Sequence, residues 1–508
     1  MKHPWPSFLQ WRSGRLAAAI AMACASLAAC TVGPNYVKPP VAIPDAYKER
    51  PASNPSDWKT ARPSDDAHRG AWWTVFHDPV LDDLEAQVDT ANQSLAQSEA
   101  QYRQAAALVG ESRAAFFPSV GIDASVQRAG RFGNGSTTAS TGAPVSSHPT
   151  NSYALPLSAS WEPDLWGRVR RQVESSVASA QASAALVEST RLSLHAQLAQ
   201  DYFQLRTTDA QKKLLDDTVA GYQRSLQITE NQYKVGVAAR ADVVQAQAQL
   251  KSAQAQAIDL GVSRAQLEHA IALLVGKSPS EVSIAVQPLT IQPPAIPAGV
   301  PSELLERRPD VAQAERAMQA ANAQIGVAKA AYFPNLTLSA SAGFQSDTLS
   351  HFLSASNAVW SLGASLAQTL FDGGLRRSQT AAARAGYDAA VANYREVALA
   401  ALQNVEDELA AVRILEQEAA VQAEATKASE DALRIANNQY RAGLVSYLNV
   451  VVAQNTAYGS ERSAIGLLGT RLVDTVALIK ALGGGWDAGE MPSAPDLRRG
   501  EPASTAHR

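Results

Sequence analysis

Residues 114–126 read AAFFPSVGIDASV, and residues 330–342 read AAYFPNLTLSASA. After each Phe-Pro pair, apolar side chains alternate with small polar ones, which is the period of a β-strand with one apolar and one polar face. A second alternating stretch follows each copy. The pattern predicts four strands of about ten residues, the length that crosses a bilayer at a tilt. They span about 117–128, 152–165, 334–345 and 359–371.

The polar face of these strands decides between two interpretations. A hairpin pair in a soluble sandwich would show the same period, but small polar residues suit a water-filled lumen better than a packed core. Four strands cannot close a barrel, for which about eight are the minimum, and open edges are not tolerated in lipid. We therefore expect several chains to share one barrel, and three chains would contribute twelve strands.

The two copies belong to an internal duplication. The sequence NQYKVG at 231–236 recurs as NQYRAG at 438–443. The Phe-Pro pair repeats after 216 residues (334 − 118), whereas the Tyr-x-x-Gly motif repeats after 207 (440 − 233). The extra residues of the first copy fall in the Gly/Ser/Thr-rich stretch 129–151, which we interpret as a long exposed loop. The first repeat is assigned to residues 71–290 and the second to 291–486.

Long helices account for most of the remaining sequence. Residues 170–233 contain no proline and only one glycine, Gly221, and residues 376–440 contain only Gly386. A helix of about 60 residues is roughly 90 Å long. Apolar residues from Val243 onward keep a heptad spacing, interrupted where Arg264 takes an expected apolar place. Such patterns usually form coiled coils, and here they predict rods attached to the membrane strands.

The N-terminus has the features of a secretory signal. Basic residues precede an apolar stretch that is too short to span a bilayer, and the sequence LAAC ends at Cys30. Residues 1–29 are therefore predicted to be a lipoprotein signal peptide, with diacylglycerol and an N-acyl chain on Cys30. Ordinary cleavage with an incidental Cys30 is the alternative. Because Cys24 would be removed, Cys30 would be a lone thiol in an oxidising compartment, which favours lipidation.

The segments at the two ends of the mature chain have little periodicity. Residues 30–70, called the lead below, are proline-rich and predicted to be extended. Residues 487–508 are predicted to form a flexible tail. Thr31 follows the cysteine in place of the aspartate that usually retains lipoproteins at the inner membrane, which indicates the outer membrane.

Composition excludes some functions. The chain of 508 residues has a formal net charge of −4 and only 6% aromatic residues, so nucleic acid is not an expected partner. The eight histidines form no ligand-spaced cluster, and no metal, other cofactor or enzymatic activity is predicted. The acidic run 406–408 is interpreted as a solvated or lumen-facing charge cluster.

Three further motifs complete a family pattern: WTVFHDPVL at 73–81, LLERRPDV at 304–311 and ALGGGW at 481–486. Together with the duplication and the LAAC box, they resemble outer membrane factors of TolC type, particularly the lipoprotein branch of resistance-nodulation-division efflux systems. The resemblance covers essentially the whole mature chain. It implies an α+β membrane protein of the outer membrane: a homotrimer with a twelve-stranded β-barrel in the lipid and a long periplasmic α-helical barrel.

The same resemblance implies partners and a passive role. A periplasmic adaptor protein would dock at the Tyr-x-x-Gly turns and connect the duct to an inner-membrane pump, which supplies the energy for exporting drugs or other small solutes. A type I protein-secretion duct is the nearer alternative. A structural coiled-coil lipoprotein without a channel is the more distant one.

Site residues follow from the resemblance by position. Gly236 and Gly443 suit left-handed turns at the helix tips, after Tyr233 and Tyr440. Tyr440 would bond an aspartate that corresponds to Asp242, although Asp242 could equally cap the helix that begins after the turn.

Three residues of the second tip complete the expected gate. The acidic ring found in some family members falls on Asn449 and Val452 here, and it is therefore missing. Leu448 matches an apolar constriction and could form a hydrophobic seal. We therefore expect weaker block by multivalent cations than an aspartate ring would give.

Overall fold

The structure is a computed structural model. It describes residues 31–41, 43–44, 46–49, 71–130, 149–296, 307–486 and 491–499. The predicted signal peptide, Cys30 and most of the loop at 129–151 lie outside these residues.

The described residues contain eight α-helices. They are α1 (Pro79–Ala91), α2 (Gln93–Ala114), α3 (Arg168–Lys234), α4 (Arg240–Leu274), α5 (Pro309–Ala330), α6 (Leu375–Arg441), α7 (Tyr447–Ala481) and α8 (Ala494–Arg499). Short 3-10 turns lie at Trp72–Phe76, Pro279–Glu281 and Ala355–Asn357.

Helix lengths show the duplication directly. The helices α3 and α6 each have 67 residues, α4 and α7 each have 35, and α2 and α5 each have 22. The starts of α2 and α5 are 216 residues apart, whereas those of α3 and α6 are 207 apart. The additional residues of the first repeat therefore lie between α2 and α3. The internal repeat predicted from the sequence is confirmed.

The strands between α2 and α3 and those between α5 and α6 join in one antiparallel sheet. Its strands are β1 (Ser119–Ile122), β2 (Ser125–Ala129), β3 (Thr150–Trp161), β4 (Asn335–Ser346) and β5 (Ala358–Ala367). The segments β1 and β2 both pair with β3, which pairs with β4, which pairs with β5. Five segments thus occupy four strand positions in the described sheet.

The strand ends differ from the sequence-based ranges for identifiable reasons. The first predicted strand is interrupted at residues 123–124, which lie opposite Pro156, a residue without an N–H to donate. The strand β3 ends at Trp161, short of residue 165, because Pro163 follows and Asp164 accepts from the Val169 and Arg170 N–H groups at 3.0 and 2.9 Å. Carboxylate capping begins α3 there.

The second copy uses the same device. The strand β5 ends at Ala367, before the expected residue 371, and Asp372 accepts from the Gly374 N–H at 3.0 Å and the Arg376 N–H at 3.3 Å. Asp372, the residue directly after the predicted strand, thus caps the start of α6. Capping competes with strand formation because both use the same backbone groups.

The WTVFHDPVL motif builds a central core where α1, α3 and α7 meet. Trp73 and Phe76 are buried with Tyr202 and Phe203 of α3. Asp78 caps α1 by accepting from the Val80 N–H at 2.9 Å, and its second oxygen accepts from the Tyr202 hydroxyl at 2.5 Å. One motif therefore begins a helix and fixes it to the neighbouring long helix.

A buried ion network explains the break in the heptad pattern. Arg264 donates from Nε to Asp209 at 2.8 Å, and Asp209 also faces Arg206 at 3.5 Å. Arg264 also donates from Nη2 to the Ile284 carbonyl, and Glu268 accepts the Ile284 N–H at 2.6 Å. The network holds the backbone at Ile284, near the end of the first repeat, against α3 and α4.

The motifs that open and close the second repeat meet each other. Arg308 donates from Nη1 to the Ala481 carbonyl at the end of α7, at 3.0 Å. Gly483 follows with φ 96°, and a Cβ there would lie 2.0 Å from the Arg307 carbonyl oxygen. Only glycine permits this approach.

Part of the tail is docked against the helices, contrary to the flexible tail expected for residues 487–508. Within 491–499, Leu497 is buried with Val109 and Val173, and Gln181 donates to the Pro492 carbonyl at 3.0 Å. Apolar burial of one leucine in α8 fixes this segment on α2 and α3. Residues 487–490 and 500–508 lie outside the described residues.

Candidate functional site: the sheet faces and the helix tips

The two faces of the sheet have opposite chemistry. Cross-strand partners of β4 and β5 on one face are Leu338 with Ala364, Ala340 with Leu362 and Ala342 with Trp360. On this face Trp360 and Leu362 remain 77% and 76% exposed in the single chain. Exposed apolar pairs in register, across a whole sheet face, require a nonaqueous environment or a partner.

The other face is lined by small polar residues. Ser341 lies opposite Ser361, with their hydroxyls 2.9 Å apart, and Ser339 lies opposite Gly363. The same alternation continues across β3, where Ser160 pairs with Ser339 and with Ser119. The register therefore places hydroxyl groups together on one face, a surface suited to water.

The Phe-Pro motifs anchor the junction between sheet and helices. Trp161 donates from Nε1 to the Phe116 carbonyl at 2.9 Å, and Trp166 donates to the Pro334 carbonyl at 2.7 Å. The Trp166 ring stacks on Phe333 with centroids 4.9 Å apart. Trp161 at the end of β3 and Trp166 beyond it are thus each bonded to one copy of the repeated motif. Amphipathic tryptophans of this kind suit the boundary between an apolar layer and water.

The opposite ends of the long helices are two short turns, called the tips. Gly236 and Gly443 adopt φ 77° and 73°, the left-handed conformation expected between antiparallel helices. Beside them, Tyr233 is 47% exposed, and Val235 and Val237 are 74% and 75% exposed. The tips therefore present apolar side chains outward.

Within one chain, Tyr440 and Asp242 each have another partner. Tyr440 donates from its hydroxyl to Gln232 Oε1 at 2.5 Å, across the two repeats. Asp242 accepts from the Ala239 N–H at 3.2 Å, which is the helix-capping role considered as the alternative. Tyr440 also lies 5.5 Å from the Tyr447 ring, centroid to centroid.

The expected constriction residues share one exposed face of α7. Leu448 and Val452 are 60% and 57% exposed, and Asn449 is exposed beside them. Tyr447 and Val450, on the opposite face, are buried against the first repeat. The structure brings Leu448, Asn449 and Val452 together, one helical turn from the tip glycine.

Sequence reasoning missed several residues of this region. Gln232 holds Tyr440, and Ser225 donates to the Tyr447 hydroxyl at 3.1 Å. The signal for Gln232 was its place in the duplicated NQY triplet, which occurs in both tips. Glu406, assigned to a solvated cluster, instead accepts two backbone N–H groups from the lead, at Lys48 and Glu49.

Among the described residues, no helix is both long and apolar enough to cross a bilayer. In the same residues, no group of three or more His, Cys, Asp or Glu side chains is placed to hold a metal ion. Exposed apolar side chains include Trp360 and Leu362 of the sheet and Val235 and Val237 at the tips.

A sheet with one apolar and one hydroxyl-lined face, carried by paired 67- and 35-residue helices, defines a class of membrane ducts with helical extensions. The family model for "Outer membrane efflux protein" matches residues 86–277 and 300–484. The chain belongs to this family.

Individual relatives agree with this assignment. The chain is 30% identical to the probable efflux pump outer membrane protein TtgC of Pseudomonas putida over 469 residues, 91% of this chain and 93% of the relative. It is 27% identical over 464 residues to the cation efflux system protein CusC of Escherichia coli O6:H1, covering 91% and 97%. The solved structure of the outer-membrane channel OprN superposes with a TM-score of 0.80 at 32% identity, covering 90% of this chain and all of that one.

The family resemblance inferred from the motifs is therefore confirmed. The chain is an outer-membrane efflux channel with a periplasmic helical part, and the family is one of channels, not enzymes.

Proposed function

We propose that three copies of this chain form one duct through the outer membrane, through which an efflux pump expels small solutes. The observation that carries the proposal is the two-faced sheet. Its two edges, β1 with β2 on one side and β5 on the other, are available to other copies. Three copies of four strand positions would supply a twelve-stranded barrel with hydroxyl groups inside and apolar side chains toward lipid.

Pump partners follow from the same proposal. The tips would dock a periplasmic adaptor attached to an inner-membrane resistance-nodulation-division pump, and the duct itself would be passive. Support comes from relatives named as antibiotic and toluene efflux pump proteins of Pseudomonas putida and as a cation efflux protein of Escherichia coli. Their different names are consistent with a duct that accepts whatever the pump delivers.

A lipid on Cys30 would anchor the duct. Cys30 lies outside the described residues, but its neighbour Thr31 packs at the start of α3. A Cβ built on Gly167 would lie 3.0 Å from Thr31 Cγ2. The Val32 N–H donates to the Trp166 carbonyl at 3.1 Å, beside the sheet junction. An acylated residue next to this junction would reach the periplasmic leaflet without strain.

Lipidation has a simple test. Intact-mass analysis of the mature protein should give the mass of a chain beginning at Cys30 with three acyl chains, and Cys30→Ser should lose that mass. An unmodified chain with a free Cys30 thiol would contradict the assignment.

The tips would form the gate in the trimer. Tyr440 and Asp242 would hold neighbouring helices, and three copies of Leu448 would form an apolar seal. Since Asn449 and Val452 replace the acidic ring, multivalent cations should block the current only weakly. Single-channel recordings with trivalent cations check this, and strong block at micromolar concentration would contradict it.

Matched substitutions on the two sheet faces test the barrel. Leu362→Arg places a charge on the apolar face, where it costs about 2–4 kcal/mol at the bilayer midplane. Ser361→Arg places the same charge on the hydroxyl face of the same strand. We expect Leu362→Arg to prevent insertion and trimer formation, and Ser361→Arg to insert and change the conductance. Equal tolerance of both arginines would overturn the proposed orientation.

A further inference from the structure

The lead contacts four helices in succession, and its first hold is a buried arginine. Arg171 of α3 donates to Asn35 Oδ1 at 2.8 Å and to the Val32 carbonyl at 3.3 Å. A Cβ built on Gly33 would lie 2.5 Å from Gly326 Cα of α5. The lead therefore lies directly on the backbone of α5, in a position that only glycine allows.

Its second hold is on α5. Asn322 donates from Nδ2 to the Pro34 carbonyl at 3.2 Å. Further along, Lys38 forms an ion pair with Glu315 at 2.8 Å, and the Tyr36 hydroxyl donates to the same carboxylate at 3.3 Å. These contacts follow the lead along α5 toward the middle of the molecule.

The third hold is on α6 and α7. Glu406 accepts from the Lys48 N–H at 2.7 Å and the Glu49 N–H at 3.0 Å. Arg413 pairs with Glu49 at 2.5 Å. Tyr47 is buried in a cluster that both helices contribute to. A carboxylate that accepts two backbone N–H groups is a strong and directional hold on a chain without secondary structure.

The position of this third hold divides α6. Contacts between α6 and the described part of the lead extend to Arg413. From there the helix continues to Arg441, a further length of about 40 Å. That lower part carries the Tyr440 hydrogen bond and ends at the tip. The described part of the lead thus contacts α6 only as far as Arg413, above the part that would bear the gate.

We propose that the lead is a strap that fixes α6 to α3 and α5 as far as Arg413, so that opening of the gate moves only the part of α6 below it. This inference rests on the proposed gated duct. It gives the lead a conformational role distinct from carrying the lipid, because hinge positions are set by where a moving element is held.

The test compares two neighbouring carboxylates. Glu406→Ala removes the hold on the lead, whereas the matched control Asp407→Ala removes an exposed carboxylate whose side chain accepts from Gln403 at 3.3 Å. Arg413→Gln, which removes the ion pair with Glu49, is a second variant that leaves the sequence around Lys48 unaltered. Two quantities are measured on the purified full-length protein: the rate of tryptic cleavage after Lys48, and the frequency of channel openings in planar bilayers.

We expect Glu406→Ala and Arg413→Gln to raise both the cleavage rate and the opening frequency by about tenfold, while Asp407→Ala leaves both near wild type. Faster cleavage with unchanged openings would show that the strap does not control the gate. Unchanged cleavage would show that Glu406 does not hold the lead. If the wild-type trimer conducts no current, the proposed duct fails, and the role of the strap in gating fails with it. The cleavage rates still report whether Glu406 holds the lead, so the two failures can be told apart.

Discussion

The central core and the tips are built from the same long helices, but they are held together by different numbers of contacts. In the core, Arg206 and Asp209 are buried in an ion network, and the Arg206 guanidinium lies 4.7 Å from the centroid of the Tyr202 ring. At the tips, Val237 and Leu444 remain 75% exposed, and the two repeats share the Tyr440–Gln232 and Ser225–Tyr447 hydrogen bonds together with the Tyr447 cluster. Elements that move in function come from regions of low local stability. The difference indicates that the core sets the architecture and the tips are free to change.

Removing Asp209 should give the largest effect, because it leaves two arginines without their shared partner in the core. We expect Asp209→Ala to destabilise the folded protein by about 3–5 kcal/mol. Asp216→Ala is the matched control on the same helix, since Asp216 pairs with Lys212 at the surface, and it should cost less than about 1 kcal/mol. Thermal unfolding followed by circular dichroism in detergent measures both. Equal losses would show that the core network is dispensable.

The second prediction concerns pH. His195 is buried between Glu85 at 2.7 Å and Asp89 at 3.3 Å, and its ring stacks on Trp73. Burial opposes its charge, but the hydrogen bonds to Asp89 and Glu85 outweigh burial and raise the pKa of His195 to about 9. Burial raises the pKa of Glu85 to about 7. Both groups therefore hold their protons more tightly in the folded chain than in the unfolded one.

Because both groups bind protons more tightly when the chain is folded, the stability of the folded protein decreases as the pH rises. The contribution of His195 is complete below its unfolded pKa, about 6.5, and is lost as the pH rises to about 9. Glu85 adds a loss of the same sign between about 4.5 and 7. Arg191, which pairs with Asp89 at 3.1 Å, and Asp82, whose charge helps to raise the pKa of Glu85, also face this group. We expect wild-type stability to fall by about 2 kcal/mol between pH 6.5 and 9 and His195→Gln to flatten this dependence. Parallel profiles for the two proteins would contradict the assignment.

The smallest effect on stability should come from the tips. Tyr440→Phe removes one hydroxyl and its hydrogen bond to Gln232, and we expect a loss of about 1 kcal/mol or less. The substitution should nevertheless increase channel opening, because the tips have few other contacts between repeats. Unfolding midpoints and single-channel recordings on the same preparation separate the two effects. A large loss of stability would show that Tyr440 contributes as much to folding as residues of the core do.

The sequence predicts the parts of the fold that depend on local patterns, namely the strands and the long helices. The strands follow from alternation around Phe117 and Phe333, and the long helices follow from stretches nearly free of proline and glycine. Strand ends were predicted less well. Pro163 has no N–H to continue a strand, and Asp164 and Asp372 accept backbone N–H groups at the starts of α3 and α6.

Long-range partners were beyond the sequence patterns. Arg264 could be seen only as a break in a heptad, and its partner Asp209 is brought to it by the packing of α3 on α4. Likewise, the contact of Glu406 with Lys48 and the contact of Tyr440 with Gln232 join residues hundreds of positions apart. A one-dimensional pattern carries no information about such pairs. The family resemblance supplied the candidate Asp242 by position, but within one chain Asp242 caps its own helix.

The most direct test of the contrast between core and tips is single-channel conductance of the purified protein, comparing wild type with the double variant Asp242→Ala, Tyr440→Phe. A duct gated at the tips predicts a small closed-state conductance that rises in the double variant while the unfolding midpoint changes little. A large conductance that is the same in both proteins would place the gate elsewhere, and no conductance in either would contradict the duct itself.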